Sequence, residues 1–562
     1  MQASDAQSEK YCHSLKTTTA LALCQAALFA ASFAPLNLWP LSFISLFPLA
    51  FLAINARSTT KALLIVFIVQ MGMWLAINSW IYNVTELGFV ALSAYLSCFA
   101  VLFVWLYRKI TQHRKLSAIP PAIVIPILWV GIECLRGEII FHGYPWYLLA
   151  HPLIEWPVLA QTADIFGAYW ISFIAAMVSG ALVGLLLAKK QITLKRSAVT
   201  FACLTIIVHI ANISYGYWRV NQDTLSPGPV VLAIQTNLLQ DNKIRWDTKQ
   251  QPIDFAEFIS LSRKGHSQAT RSGLNVDLIV WPETMVPGKG FEKQSLDFQR
   301  SLNLAPGDYY LSALWSLENE LQTALLVGSP SYFGLGVTAD RYTWDQHYNS
   351  AYLLSGKSDL QRYDKRVLTP FGETMPYISS WPWLEQKLLS LGPDGMMFNL
   401  DSNPQSKLLR LDTYNQSVLI ATPICFEDTV AWLCREMVYR GGQKTANVLI
   451  NLSNDGWFGT SIAGRHQHTQ IARFRCIENR VPMVRAVNTG QSVAIDSCGK
   501  LISLPTESRY PKSQTQGWFA VELLLDSRST VFGRIGDSWA WCCFVGTIVA
   551  CGWSLLPTRQ GK

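Results

Sequence analysis

The sequence predicts a helical membrane bundle joined to a mixed α/β domain, and three observations lead to that prediction. Half of the 562 residues are hydrophobic and only 15% are charged. Long uncharged runs fill roughly the first 215 positions and one more closes the chain, while the middle has the composition of an ordinary soluble domain. The chain also carries 21 Trp, a residue that anchors membrane proteins at the bilayer interfaces.

Apolar runs of about 20 residues are long enough to cross a bilayer, and we predict about eight such spans. The second is short and bounded by Pro, so a re-entrant or tilted segment is an alternative there. The spans lie near 17–34, 40–55, 62–81, 88–107, 119–136, 166–188, 197–215 and 538–556.

These runs divide the chain into three regions. We predict a transmembrane bundle of seven spans at 1–216, an extracytoplasmic domain at 217–537, and a last span with a short cytoplasmic tail at 538–562. Lys and Arg cluster in alternate loops, as expected when cytoplasmic loops carry the excess of positive charge. The loop at 108–115 is basic, for example, whereas 138–165 holds neither Lys nor Arg.

The N-terminal 34 residues have a second interpretation. Lys10 and Lys16 precede an apolar stretch that ends in small residues, which is also the pattern of a cleaved signal peptide. We favour an uncleaved first span, because its apolar core is long and another apolar run follows at once. Either interpretation leaves the middle domain outside the cytoplasm.

Charge and cysteine content exclude several classes of function. Most of the net charge of +8 lies in short loops between apolar runs, and the middle domain has no basic stripe, so we predict no nucleic-acid partner. The cysteines form no C-x-x-C pair and no cluster with His at zinc spacing, so we predict neither a metal nor another cofactor. A disulfide among Cys434, Cys476 and Cys498 stays open.

Short β-branched runs alternate with helical patterns in the middle domain. Many runs are apolar on both faces, which predicts buried strands covered by helices. Helices are predicted at 251–273 and 464–480. Strands are predicted at 229–237, 276–284, 323–333, 349–355, 417–428, 447–455, 482–490 and 491–499.

Three of the polar turns in this domain carry reactive side chains. Glu283 ends one strand, Lys365 precedes a turn, and Cys425 ends the apolar run "LIATPIC". If the strands are neighbours, these residues can meet at one site. A thiolate would attack a carbonyl, a carboxylate would move the thiol proton to the leaving group, and an ammonium with a backbone N–H would stabilise the oxyanion.

The chain resembles the nitrilase (carbon-nitrogen hydrolase) superfamily, whose Glu-Lys-Cys triad occurs in the same order along the sequence. The whole arrangement resembles more closely the apolipoprotein N-acyltransferase family of bacterial inner-membrane enzymes, which join such a domain to a multi-span bundle. The likeness extends over "FAPLNLWPLS" near the first span, "GYPW" at 143–146, "NLSNDGWFG" at 451–459 and the closing span.

The resemblance implies an αββα sandwich in the periplasm and a two-step transfer. Cys425 takes an acyl chain from a phospholipid, typically phosphatidylethanolamine, and the α-amine of a diacylglyceryl-cysteine apolipoprotein accepts it. Glu283 is then the general base and acid, and Lys365 the oxyanion partner. We expect a monomer embedded in the bilayer.

The resemblance also implies supporting residues. Glu373 and Glu427 match acidic positions around the triad, and Trp246 and Trp457 match aromatic positions near the acyl site. Phe426 follows the nucleophile where the family often has Tyr, so a role for that hydroxyl is lost here.

Other features leave alternatives open. Glu133 and Arg136, one turn apart on the fifth span, could pair structurally or serve function. The apolar loop at 377–398 could dip into the interface as a lid or pack as an arm of the sandwich. His466 and His468 are expected to begin a helix rather than bind metal.

Two rival functions remain at this point. A membrane-tethered amidase would use water in place of the amine as acceptor. A transporter or receptor would use the middle domain only for binding, but the few ionisable residues in the spans and the lack of an inverted repeat count against it.

Overall fold

The structure of the chain is a computed structural model. It describes residues 14–189, 195–238, 246–302, 306–338, 341–356, 359–381, 383, 387, 400–459, 461–502 and 515–556. The chain forms two compact units. The first comprises Met1–Gln222, Ser461–Gln470 and Asp537–Lys562, and the second Asp223–Thr460 and Ile471–Gly536.

The described α-helices belong to both units. In chain order they are α1 Leu15–Ser32, α2 Phe47–Asn55, α3 Thr59–Ile77, α4 Glu86–Gln112, α5 Pro121–Cys134, α6 Pro157–Ala160, α7 Ala163–Phe166, α8 Ala168–Ala188, α9 Lys195–Val220, α10 Gln251–Arg271, α11 Lys293–Ser301, α12 Pro306–Leu321, α13 Ala431–Val438, α14 Ile462–Asn479, α15 Val531–Ile535 and α16 Ser538–Leu555.

The first unit is helical, and hydroxyl side chains begin several of its helices. Ser14, Ser58 and Thr85 cap α1, α3 and α4 by accepting a hydrogen bond from a backbone N–H of the first turn. Such caps satisfy donors that a helix leaves free at its N-terminus. The local sequence therefore fixes where these apolar helices start.

Small residues allow close packing between helices of the first unit. A Cβ at Gly131 of α5 would lie 2.2 Å from the Thr547 hydroxyl of α16, and one at Gly180 of α8 would lie 2.6 Å from the Pro121 carbonyl oxygen. Glycine lets two helix backbones approach where a larger residue would separate them. Helix α5 is thereby held between α8 and α16.

Five helices of the described residues are long and apolar enough to cross a membrane, namely α3, α4, α8, α9 and α16. The prediction of about eight spans is thus confirmed only in part. Helices α1, α2 and α5 occupy the other three predicted positions. The α2 helix has nine residues and rises about 14 Å, less than half of the hydrocarbon core, so the alternative of a short, non-spanning segment fits it better.

The ionisable residues Glu133 and Arg136 bind separate partners in the first unit. Glu133 Oε1 accepts hydrogen bonds from Trp129 Nε1 at 2.9 Å and from the Leu149 backbone N–H at 2.7 Å. Arg136 Nη2 donates to the Tyr147 carbonyl oxygen at 3.2 Å. These contacts anchor the 147–149 segment to α5 and to the short helix Leu135–Ile139 that follows it.

The second unit contains two main sheets. The described strands are β1 Leu225–Gln235, β2 Leu278–Val280, β3 Ala324–Phe333, β4 Gly336–Thr338, β5 Arg341–Thr343, β6 Gln346–Ser355, β7 Asp359–Asp364, β8 Leu409–Asp412, β9 Ser417–Ala421, β10 Tyr439–Arg440, β11 Gln443–Lys444, β12 Val448–Ser453, β13 Met483–Val487, β14 Val493–Ile495 and β15 Gly517–Asp526. The first sheet has the order β15-β1-β2-β3-β6-β7 and the second β14-β13-β12-β9-β8.

The inner strands of each sheet are parallel and the outer ones antiparallel. In the first sheet β2 runs parallel to β1 and β3, and in the second β12 runs parallel to β9 and β13. Asn488, just after β13, accepts hydrogen bonds from the Thr236 hydroxyl and the Leu238 N–H, both at 2.7 Å. This amide ties the end of one sheet to the end of the other.

Helices α10 and α12 cover the first sheet and complete its core. Phe255 and Phe258 of α10 lie edge-on to Trp281, with ring centroids 5.5 and 5.8 Å apart. The Trp281 indole N–H donates to the Ser262 hydroxyl at 2.8 Å, so burial leaves no donor of this ring unsatisfied. Each such aromatic side chain stabilises the fold by about 2–3 kcal/mol.

Every strand predicted from sequence overlaps an observed strand, and both predicted helices are present as α10 and α14. Seven described strands were missed, namely β4, β5, β7, β8, β10, β11 and β15. Residues of β7, "DLQRYD", are mostly polar, and β8 alternates buried and exposed positions over only four residues. Such edge strands carry charge and lack the continuous apolar run of a central strand.

Candidate active site

Cys425 lies in a strained turn that follows β9. The chain leaves β9 at Ala421 and begins a short 3-10 helix, Cys425–Thr429, at the cysteine itself. The φ angle of Cys425 is 51°, in the left-handed region that residues with a Cβ rarely adopt. Strain of this kind persists where the surrounding structure enforces it, commonly at active sites.

As a whole residue, Cys425 is partly exposed. Burial of its surroundings and the nearby Glu283 carboxylate raise the pKa of Cys425, while Lys365 acts in the opposite direction. The thiol is therefore protonated at neutral pH. To act as a nucleophile it needs a base that removes its proton.

Lys365 is the first residue after β7 and is only 1% exposed. Its Nζ lies 2.8 Å from Oε2 of Glu373 and 3.7 Å from Oε1 of Glu283. Burial opposes the charge on the ammonium, but the two carboxylates outweigh that cost and raise the pKa of Lys365. The ammonium therefore stays charged throughout the physiological pH range.

Glu283 and Glu373 approach Lys365 from different segments. Glu283 follows β2 after Trp281 and Pro282, and Glu373 lies in the turn after β7. Glu373 Oε2 also accepts the Thr369 backbone N–H at 2.8 Å. Burial would raise the pKa of Glu373, but the attraction of Lys365 lowers it, so this carboxylate is ionised.

Asn349 of β6 is a site residue that sequence reasoning missed. Its Nδ2 donates to Glu283 Oε1 at 2.7 Å and lies 3.4 Å from Glu373 Oε1. The amide thus holds both carboxylates while Lys365 holds them electrostatically. The signal in the sequence is a polar amide at the start of the otherwise apolar run "NSAYLL".

Glu427 is fully buried and supports the backbone on both sides of the site. Its Oε1 accepts the N–H groups of Arg366 at 2.7 Å and Val367 at 2.9 Å, and its Oε2 accepts the Ile424 N–H at 2.7 Å. The Tyr363 hydroxyl donates to both oxygens. Glu427 therefore joins the segment after β7 to the cysteine turn.

The residues predicted from sequence meet by a different route from the one expected. We expected neighbouring strands, but β3 and β6 separate β2 from β7, and β9 belongs to the second sheet. Glu427 binds the N–H groups of Arg366 and Ile424 and so joins the Lys365 segment to the cysteine turn, while Lys365 contacts Glu283 and Glu373. A thiol, a carboxylate and a permanent ammonium in one buried site suit nucleophilic attack on a carbonyl.

Comparison with known proteins gives two family matches and many relatives. Residues 25–181 match the model of the apolipoprotein N-acyltransferase N-terminal domain, and residues 244–510 match that of the carbon-nitrogen hydrolases. The apolipoprotein N-acyltransferase of Geobacter metallireducens is 30% identical over 541 residues, which cover 94% of each chain. This chain belongs to the apolipoprotein N-acyltransferase family.

Other apolipoprotein N-acyltransferases align over similar lengths. The protein of Vibrio vulnificus is 27% identical and covers 96% of this chain and 97% of its own. Among solved structures, a carbon-nitrogen hydrolase from Helicobacter pylori G27 covers 52% of this chain and 89% of its own at 13% identity and a TM-score of 0.32. The family assignment therefore rests on sequence, and it confirms the resemblance and the predicted nitrilase-like domain.

The aromatic residues that the apolipoprotein N-acyltransferase resemblance singles out lie in different surroundings. Trp246 packs against the core of the first sheet, and its indole N–H donates to Asp254 Oδ2 at 2.7 Å. Phe426 is buried directly after Cys425. Trp457 is partly exposed in the short 3-10 helix Asp455–Phe458 that follows β12. The described contacts of Trp246 are those of a packed residue.

Most of the predicted lid at 377–398 lies outside the described residues. Within the described part, Tyr377, Trp381 and Trp383 are 55%, 60% and 68% exposed. Three large aromatic side chains exposed this close together are typical of a surface that meets another apolar phase.

The remaining predicted features have ordinary structural roles in the described residues. His466 and His468 lie in the first part of α14, as expected for residues near a helix start. His466 Nε2 lies 3.2 Å from Glu155 Oε1. In the described part of the chain, Cys434, Cys476 and Cys498 form no disulfide with one another.

Proposed function

We propose that this chain transfers an acyl chain from a membrane phospholipid to the N-terminal α-amine of diacylglyceryl-cysteine apolipoproteins, through a thioester on Cys425. One observation carries the proposal: in a chain of this acyltransferase family, Glu427 joins the strained Cys425 turn to the segment of the buried Lys365, whose Nζ lies 3.7 Å from Glu283. The donor that we propose is phosphatidylethanolamine.

The first half-reaction forms the thioester. Glu283 removes the proton from Cys425 Sγ as the sulfur attacks the ester carbonyl carbon of the phospholipid. Lys365 and a backbone N–H stabilise the oxyanion of the tetrahedral intermediate. The C–O ester bond then breaks, and Glu283 returns the proton to the lysophospholipid oxygen.

The second half-reaction releases the acyl chain. The neutral α-amine attacks the thioester carbon, and the same oxyanion forms beside Lys365. Glu283 takes the amine proton, the C–S bond breaks, and the proton passes to the departing thiolate. An amide bond has formed, and Cys425 is again a thiol.

Glu373, Asn349 and Glu427 support these steps without touching the reacting atoms. Glu373 and Asn349 fix the positions of Lys365 and Glu283, and Glu427 fixes the segments that carry Lys365 and Cys425. The candidates for contact with the acyl chain are Phe426, Trp457 and Trp246. Phe426 directly follows Cys425, and Trp457 lies in the short helix after β12.

We place the chain in the bacterial inner membrane, with 217–537 facing the periplasm and with 1–216 and 538–562 forming the membrane part. The five long apolar helices and the alternation of basic loops support this arrangement. Both proposed substrates carry acyl chains held in the bilayer. A catalytic domain attached to spans reaches them without extracting either one from lipid.

Mass spectrometry of the intact protein tests the proposal. The full chain, purified in detergent and incubated with phosphatidylethanolamine, is expected to gain the mass of one acyl chain on Cys425 and to lose it when a diacylglyceryl-cysteine peptide is added. Cys425→Ala is expected to gain none. Hydrolysis of simple amides without any adduct would favour the amidase, and full function of Cys425→Ala would favour a binding protein.

A further inference from the structure

We propose that Asn451, oriented by Arg485 and Asp428, is a positioning residue that holds the Cys425 turn in its reactive conformation. The inference rests on the proposed role of Cys425 as nucleophile. It concerns residues outside the Glu-Lys-Cys set, none of which the sequence analysis singled out for this role.

The amide of Asn451 binds the backbone on both sides of the cysteine turn. Asn451 lies in β12, is fully buried, and its Nδ2 donates to the Pro423 carbonyl oxygen at 3.0 Å and to the Cys425 carbonyl oxygen at 3.2 Å. The Asn451 side chain therefore provides hydrogen-bond donors for two backbone carbonyl groups that lie beyond the end of β9.

Arg485 fixes which end of the amide faces the turn. Asn451 and Arg485 are paired across the parallel strands β12 and β13, and Arg485 Nε donates to Asn451 Oδ1 at 3.3 Å. A guanidinium has donors and no acceptor, so the amide oxygen must face Arg485. The amide NH₂ is then left for the two carbonyl groups.

Asp428 in turn holds the guanidinium. Arg485 Nε lies 3.0 Å from Asp428 Oδ2, and both side chains are fully buried. A buried charge without a partner is strongly unfavourable, so neither group can leave the other. Because Asp428 belongs to the 3-10 helix that Cys425 begins, the chain of contacts starts and ends on the same turn.

Holding the Cys425 carbonyl oxygen has a direct chemical consequence. That oxygen and the Phe426 N–H belong to one planar peptide group and point in opposite directions. When Asn451 fixes the oxygen, it also fixes the direction of the N–H after the nucleophile. It further stabilises the left-handed Cys425 backbone, with φ 51°, against relaxation.

The kinetics of acylation test this role. Wild type, Asn451→Ala and Asn451→Ser are compared as full chains in mixed micelles with phosphatidylethanolamine, by the rate at which Cys425 gains its acyl group. At saturating lipid we expect Asn451→Ala to be slower by about 10–100-fold, with an unchanged half-saturating lipid concentration, because a misplacement of about 1 Å affects the reaction and not lipid binding.

Asn451→Ser retains one hydroxyl donor and is expected to recover part of the lost rate. Asn447→Ala is the matched control: Asn447 Oδ1 accepts the Leu419 N–H at 2.8 Å and joins the same strands away from the turn. We expect a similar loss of thermal stability in that control, with acylation within about twofold of wild type.

The possible outcomes are distinguishable. If Asn451→Ala acylates at the wild-type rate, or if Asn447→Ala is slowed as much, the positioning role is wrong while the thioester mechanism stands. If Asn451→Ala does not fold, Asn451→Ser decides, since a wild-type rate in that variant also contradicts the proposal. A wild-type protein that forms no thioester contradicts the proposed function and this inference together.

Discussion

The region around Lys365 and the turn that begins at Cys425 each hold a glutamate carboxylate, yet they stabilise its charge differently. Glu373 faces the Lys365 ammonium at 2.8 Å, so charge meets charge. Glu427 receives three backbone N–H groups and the Tyr363 hydroxyl, so charge meets backbone dipoles. The two carboxylates lie on either side of one site and have different tasks.

The different surroundings of Glu373 and Glu427 indicate different roles: the first concerns proton transfer, and the second concerns the position of the backbone. An ammonium held between two carboxylates controls the charge of the site, and the donors around Glu427 control where two chain segments lie. We therefore expect changes in the Lys365 region to lower the rate more than the stability, and changes at Glu427 to lower the stability at least as much as the rate.

The largest effect is expected for Glu283→Gln. Gln cannot accept the thiol proton, and the raised pKa of Cys425 keeps the thiol protonated at neutral pH. General base catalysis contributes about 100–10,000-fold, and we expect thioester formation to slow by that factor. Mass spectrometry at fixed times measures it, with the unfolding midpoint as control; an unchanged rate would exclude Glu283 as the base.

Glu427→Gln is expected to destabilise the protein. The Gln amide turns an NH₂ group toward N–H donors that Glu427 satisfied, and each buried donor left unpaired costs about 1–3 kcal/mol. Thermal unfolding in detergent measures the loss. Glu373→Gln is the comparison, because it removes one charge partner of Lys365 but keeps an acceptor for Thr369. Equal destabilisation by the two variants would contradict the proposal that Glu427 positions the backbone whereas Glu373 mainly sets the charge of the site.

Sequence reasoning named Glu283, Lys365 and Cys425, and the family resemblance added Glu373 and Glu427, but neither pointed to Asn349 or Arg485, for a physical reason. Glu283 and Cys425 follow apolar runs, where a polar residue is visible in one dimension. Asn349 and Arg485 lie inside strands, and their roles depend on which strands pair, which one sequence does not encode locally. Of the eight predicted spans, five are described helices long and apolar enough to cross a bilayer, whereas the nine-residue α2 is too short to do so.

Stability should depend on pH with opposite signs at the two glutamates. Burial raises the pKa of Glu427 to about 7 from the usual 4.5, so between these values the folded protein holds an additional proton and stability falls as pH rises. The pKa of Glu373 is lowered, so its contribution is complete above pH 4.5 and is lost as pH falls further.

Unfolding midpoints measured from pH 3 to pH 8 test this contrast. Glu427→Gln is expected to remove a slope of at most about 1.4 kcal/mol per pH unit between pH 4.5 and 7. Glu373→Gln is expected to remove the loss at lower pH instead. A Glu427→Gln slope identical to that of wild type would mean that its backbone donors keep Glu427 ionised throughout.

The smallest effect is expected for Tyr363→Phe, which sharpens the comparison within the Glu427 region. The variant removes a hydroxyl that donates to Glu427 Oε1 at 2.9 Å and to Oε2 at 3.0 Å, but leaves all three backbone donors in place. Because those donors alone define the position of the carboxylate, we expect a stability loss of about 1 kcal/mol and a rate within about fivefold of wild type.

Tyr352→Phe is the matched control, since Tyr352 is equally buried and donates to Glu292 at 2.8 Å. It should lose similar stability with no change in rate. If Tyr363→Phe instead slows acylation by more than about 100-fold at unchanged stability, the hydroxyl takes part in the charge balance of the site. Glu427 would then, like Glu373, act on proton transfer at the site and not only on the position of the backbone.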